Sequence, residues 1–155
     1  MALPHQALVM VADGKKLLFL RNHGDEQQID LRIEAHDERQ DAMDRDLKTD
    51  APGLSFSSAG SGRDTMEETD FHRQEEDRWI KDAAAEVNRR ALSNDFEALV
   101  IVTPPRALGV LRKQLHKESE KRVIATINKE MSGRPTPEIE KLVLSETRSE
   151  ELSEV

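Results

Sequence analysis

Two short runs, Ala7-Leu8-Val9-Met10-Val11-Ala12 and Ala98-Leu99-Val100-Ile101-Val102, are apolar at every position. A run of strand length with no polar alternation suits a strand covered on both faces. Charged residues make up 35% of the 155-residue chain and aromatics only 3%. The rest of the core must therefore come from scattered Leu, Val, Ile and Ala. The two runs are the natural centre of an α/β sheet with helices on each side.

The remaining elements fall around them. Asp13-Gly14 separates the first run from Lys16-Leu17-Leu18-Phe19-Leu20, which reads as a hairpin whose turn residues accept positive φ. A third, weaker strand is expected at Gln28–Ile33, apolar at alternate positions. Residues 35–70 show no sustained period and are expected to form a long loop, functional or disordered. Trp79, Ile80, Ala83, Ala84, Val87 and Ala91 recur at helical spacing. Thr65 with Glu68, or Asp70, would start that helix. Thr103-Pro104-Pro105-Arg106 ends the second run and opens a helix, since proline suits the first turn. Leu108, Leu111 and Leu115 line one face of it, and Arg106, Lys113 and Lys117 another. Arg122–Ile127 reads as a further strand and Thr136-Pro137-Glu138 as the start of a last helix. From Ser145 the chain is polar and expected to fray.

The expected order is β-β-β-α-β-α-β-α, a ribonuclease H-like mixed sheet. It forms a single domain over 1–145 with a polar tail over 146–155. There is no cysteine, so thiol catalysis, disulfides and thiolate metal sites are excluded. The N-terminus reads as a strand and not as a signal peptide, and no run is long enough for a membrane span. The expected location is cytoplasmic. No cofactor and no metal are expected.

Charge is unevenly spread within the net −8. Residues 34–77 hold 14 acids against 5 bases, and residues 78–135 hold 12 bases against 7 acids. These blocks are either solvated faces or partner surfaces. In the second case the basic half (Arg89, Arg90, Arg106, Arg112, Lys113, Lys117, Lys121, Arg122) suits ribosome or structured RNA. The acidic 34–77 segment suits a protein partner.

Chemistry has few places to sit. Ligands favour the carboxyl ends of parallel strands, where Thr103–Arg106 would offer helix N–H groups and a guanidinium to an anion. The same residues also make a plain strand-to-helix turn. Ser58-Ala59-Gly60-Ser61-Gly62-Arg63 reads as a ligand-approaching loop or as a flexible linker. It is neither a phosphate-binding loop with Gly-Lys-Ser/Thr nor a nucleophile elbow. His72 and Glu76, four apart, read as a plain helical pair, as two metal ligands, or as a base with its orienting carboxylate. His72 is the weak catalytic candidate. The ligand or RNA candidates are Gly60, Ser61, Gly62, Arg63, Arg73, Arg106, Arg112, Lys113 and Lys117.

"GLSFSSAGSGRDTMEETDFHRQEEDRW", "LVIVTPPRALGVLRKQL" and "VIATINKEMSGRPTPEIEKLV" together resemble the bacterial host attachment protein family, from about residue 7 to about 145. That family is similar to bacterial release-factor-like domains, related to the middle domain of archaeal and eukaryotic release factors and Pelota. The resemblance implies a ribonuclease H-like fold and a role near ribosome or RNA. Release factors hydrolyse peptidyl-tRNA with a Gly-Gly-Gln loop. Here Gly60-Ser61-Gly62-Arg63 stands in that place without the Gln, and Asp64 stands where the family tends to carry His. Three readings follow: a non-enzymatic binding module for ribosome or RNA, a hydrolase of peptidyl-tRNA or a similar ester, and an indirect regulator of attachment through a protein partner.

Overall fold

The computed structural model describes residues 3–39 and 61–154, with side chains described for 3–39 and 70–147. Five strands form one mixed sheet: β1 (Leu8–Ala12), β2 (Lys16–Asn22), β3 (Leu31–Glu38), β4 (Leu99–Val102) and β5 (Val123–Ile127). Four helices accompany them among the described residues: α1 (Ser61–Leu92), α2 (Pro105–Gln114), α3 (Lys117–Arg122) and α4 (Thr136–Glu154). The sheet order is β3-β2-β1-β4-β5. The β1–β2 and β2–β3 pairs are antiparallel, and β1–β4 and β4–β5 are parallel.

The all-apolar runs become the two central strands, each buried along its whole length. Leu8, Met10, Ala12, Leu99 and Ile101 face a core shared with Ile80, Ala84 and Val87 of α1 and Leu108 and Leu111 of α2. Val9, Val11, Val100 and Val102 face the opposite core, closed by Ile139 and Val143 of α4. Alternation alone decides which residue meets which layer. No polar position is tolerated because both faces are dry.

Several boundaries differ from expectation. The β1–β2 connection uses no positive φ at Asp13 or Gly14. Asp13 Oδ1 instead accepts the backbone N–H of Lys15 at 2.7 Å and of Lys16 at 2.6 Å, so the side chain itself closes the turn. Strand β3 begins three residues later than expected. Asn22 Oδ1 takes the N–H groups of Gly24 and Asp30, and Asp25 takes those of Gln27 and Gln28, which fixes the stretch before Leu31 as a turn.

The expected loop over 35–70 is shorter at both ends. Residues 35–38 pair with β2, and residues 61–70 are already helical. The segment 40–60 lies outside the described residues. Between β4 and β5 stand two helices instead of one. Leu115 is extended (φ −72°, ψ 132°) and ends α2, and His116 Nδ1 accepts the Glu118 N–H at 3.0 Å to open α3. Lys117 therefore belongs to α3 and not to the face of α2. Helix α4 runs past Ser145 to Glu154, and Thr147 bonds back to the Val143 carbonyl at 2.9 Å.

One polar cluster joins three elements. The Arg21 side chain is 6% exposed and bonds Glu34 through two nitrogens, at 3.1 and 3.0 Å. It also bonds Asp95 Oδ2 at 2.7 Å and the carbonyls of Gln6 and Asp95. Arg90 of α1 reaches Glu34 at 2.7 Å and lies 4.6 Å over the Phe19 ring. Arg21 foremost, then Arg90, holds the Glu34 carboxyl below the usual carboxylate range. Arg21→Ala should cost about 3 kcal/mol in urea unfolding, short of the ~5 kcal/mol upper range because Glu34 and Asp95 keep contact with water. Loss below ~0.5 kcal/mol would show the cluster to be dispensable.

Candidate functional site

The carboxyl ends of β1 and β4 lie side by side because the two strands run parallel in register, Leu8 opposite Leu99 and Val11 opposite Val102. From β1 the chain turns to β2 on one side, and from β4 it proceeds to β5 on the other. This divergence is the topological switch point at which α/β sheets open a crevice. A cleft of about 360 Å³ lies there. The β1–β2 turn, the start of α2, the middle of α1 and Glu130 after β5 line it.

Its walls are mainly acidic. Asp13, Glu76, Asp77 and Glu130 face Lys15 and Arg106. Arg106 donates to Asp77 Oδ1 at 3.1 Å. Ser132, 9% exposed, has its hydroxyl 2.5 Å from both Asp13 Oδ2 and Glu130 Oε1. Burial works to raise the Asp13 pKa, but the hydroxyl of Ser132 and the N–H groups of Lys16 and Lys15 outweigh it and hold Asp13 below the usual carboxylate range. The floor is apolar, with Ile80, Pro104 and Ala107.

One close contact crosses the cleft wall, and one unsatisfied hydroxyl lies near its end of β4. At Gly14 an added Cβ would stand 2.7 Å from Glu76 Cγ, so the glycine lets the Glu76 stem cross the β1–β2 turn. Thr103 is 1% exposed and its Oγ1 has no hydrogen-bond partner. A buried hydroxyl without a partner costs about 1–3 kcal/mol. The proline after it favours extended backbone at Thr103. Alternation from Leu99 and Ile101 then puts Thr103 on the α1–α2 side of the sheet, but it does not line the cleft.

The other anticipated residues scatter. Arg106 stands in the cleft, as the strand-end argument expects, but paired with a carboxylate. Arg112 and Lys113 occupy the last turn of α2, at its far end from Arg106. Arg112 donates to Thr126 Oγ1 at 3.1 Å, and Lys113 and Lys117 are exposed. Arg89, Arg90 and Arg122 are engaged by Glu86, by Glu34 and by the Phe96 carbonyl. Lys121 pairs with Glu118 at 3.1 Å. His72 is half-buried with its ring edge-on to Phe71, centroids 6.1 Å apart, and does not line the cleft, whereas Glu76 does. Arg73 is exposed on α1. Ser61, Gly62 and Arg63 are not loop residues but the first residues of α1, and Gly60 lies outside the described residues.

Ser132 and Glu130 gained no role from the sequence, Glu76 was legible only as the partner of His72, and Asp13 only as a turn residue. Ser132 and Asp13 are 119 positions apart, so no local spacing could join them. Among the described residues no group of three or more His, Cys, Asp or Glu could hold a metal ion. Among the same residues no helix is long and apolar enough to cross a membrane.

Asp13 gives a pH signature. A carboxyl held low in the folded state contributes stability that is full above its unfolded pKa of ~3.9 and is lost as pH falls through the folded value. Wild type should lose stability below about pH 4, and Asp13→Asn should flatten part of that slope. An unchanged slope would refute this role for Asp13. Gly14→Ala should destabilise by about 1–2 kcal/mol through the Glu76 clash, and Glu76→Ala should relieve most of it in a double-mutant cycle. Additive effects would sink the contact argument.

Residues 6–143 match the sequence model of bacterial archaeo-eukaryotic release factor family 12. No curated protein matches the chain. The match supports the release-factor side of the resemblance and gives the host-attachment side no support.

Proposed function

The chain belongs to bacterial archaeo-eukaryotic release factor family 12, and on that premise we propose that it is a non-enzymatic cytoplasmic module that engages ribosome or structured RNA in a translation-linked role. Family membership carries the reading. The antiparallel-then-parallel sheet in the order β3-β2-β1-β4-β5 supports taking the fold as ribonuclease H-like. The surface that suits RNA is the far end of α2 with the start of α3. There Arg112, Lys113 and Lys117 stand exposed. The acidic cleft suits phosphate poorly, so Arg106 drops out of the RNA-facing set.

Nothing favours the hydrolase reading over this one. Gly60-Ser61-Gly62-Arg63 lacks the glutamine, and His72 does not line the cleft. Indirect regulation of attachment rests on the part of the resemblance that the family match leaves without support.

Binding through backbone phosphates must weaken steeply with salt. In lysate gradients the tagged protein should travel with ribosomes at low salt and move toward the top at moderate salt. Arg112→Glu/Lys113→Glu, verified as folded by circular dichroism, should stay at the top in both. Wild type confined to the top at both salts, or a variant that sediments like wild type, would overturn the proposal.

A further inference from the structure

We propose that the groove between α1 and the β2–β3 pair docks one basic amphipathic helix of a partner protein. The inference is independent of the ribosome reading. That reading uses Arg112 and Lys113, and Arg112 bonds Thr126 of β5, the strand at the other edge of the sheet from β3.

The groove holds about 310 Å³. Leu17 and Phe19 of β2, Ala35 of β3 and Ala83 of α1 make it apolar, and Trp79 of α1 lines it beside them. Trp79 is the only tryptophan in a chain with 3% aromatic residues. It is not enclosed in the core. Trp79, Leu17 and Ala35 pack against the core from outside and stay partly exposed. Apolar groups gathered at a surface groove mark a contact site, and tryptophan is prominent among the residues that anchor one.

Charge says what covers them. Asp82 comes to the groove from α1 and Asp37 from β3, both exposed. Among the described residues neither forms an ion pair. The other charged residues of the lining are already matched, Glu86 by Arg89 and Arg90, and Arg90 by Glu34. His36 is the remaining polar residue of the lining. An apolar strip with an unmatched carboxylate from the helix and another from the strand has a definite complement. It is an apolar stripe flanked on both sides by lysine or arginine. A nucleic acid would meet like charge there.

The mode of docking follows from β3. Glu140 of α4 accepts the Leu31 N–H at 2.8 Å, and Asp37 accepts the Glu38 N–H at 2.9 Å. A bulge breaks the β2–β3 register between them. Capped donors and a bulge are the devices by which an edge refuses a further strand. The partner therefore meets side chains and not the sheet edge. Trp79 and Ala83 are one turn apart, so the strip runs along α1, as suits a helix laid in a groove.

The test reads the emission of Trp79 in the full chain, which has no tyrosine. The probe is a blocked peptide of Lys, Leu and Ala, about four helical turns long, with its leucines on one face. It should shift the emission to the blue saturably, with a Kd on the order of 10 μM. A peptide of the same composition with its leucines scattered should bind about tenfold more weakly. Asp37→Lys/Asp82→Lys should also weaken binding about tenfold. Glu97→Lys/Glu120→Lys makes the same charge change at exposed positions outside the groove and should bind like wild type. Circular dichroism verifies each fold, and Asp82→Asn decides the matter if the Asp37 double variant does not fold. Equal losses in the two double variants would reduce binding to attraction by net charge and overturn the proposal. So would equal binding of the scattered peptide, or no shift with either. A shift with polyuridylate alone would make the groove a nucleic-acid site, and a shift with protein concentration alone would make its occupant a second copy. Either result would also overturn it.

Discussion

The parallel pairing of β1 with β4 is the constraint on which the rest of the structure depends. Both strands are buried on both faces, so neither can move to an edge without exposing a row of aliphatic side chains. Every connection must then leave the pair in an outward direction. β2 and β3 extend the sheet on one side by short antiparallel returns, and β5 extends it on the other after a helical crossover. A cleft at the shared carboxyl end follows from that divergence. Its depth comes from α1 and α2 packing on the same face.

A sheet built this way has a weak flank. β3 is an edge strand with most of its side chains exposed, and β2 must hold it without a second hydrophobic layer of equal quality. The Arg21 cluster does that work with polar groups. One guanidinium draws together β2, β3 and the link between α1 and β4, and each of its nitrogens has an acceptor. A buried cation with full coordination adds less net stability than an apolar replacement could, but it leaves few alternative registers open. The bulge between Phe19 and Leu20 sits beside it, where the β2–β3 register shifts.

Much of the fold was legible in the sequence because apolar patterning reports burial directly. The runs at Ala7 and Ala98, the Trp79–Ala91 stripe and the Pro104-Pro105 helix start each carry a local physical signature. The break at Leu115 carried none, since a leucine on a good helical face gives no sign that the backbone will extend. The site was far less legible. Arg106 was found because strand ends and helix starts are predictable places. Asp13 with Ser132, and Gly14 with Glu76, are contacts between distant segments that only the folded sheet creates. Thr103 was expected at that strand end, as crevice or plain turn, and its hydroxyl is buried without a partner, which a sequence cannot display.

The two charge systems meet on one short helix. Arg106 in its first turn faces acids, and Arg112 and Lys113 in its last turn face outward. Arg106 and Arg112 are separated by six residues, about 9 Å of helix rise, just over the Debye length of about 8 Å at physiological salt. Exposed charges about one Debye length apart are partly screened from each other. The acidic cleft therefore does not cancel the basic end, and a chain of net charge −8 can present a cationic patch to a polyanion. The net charge acts at longer range, where it would slow the approach of any polyanion.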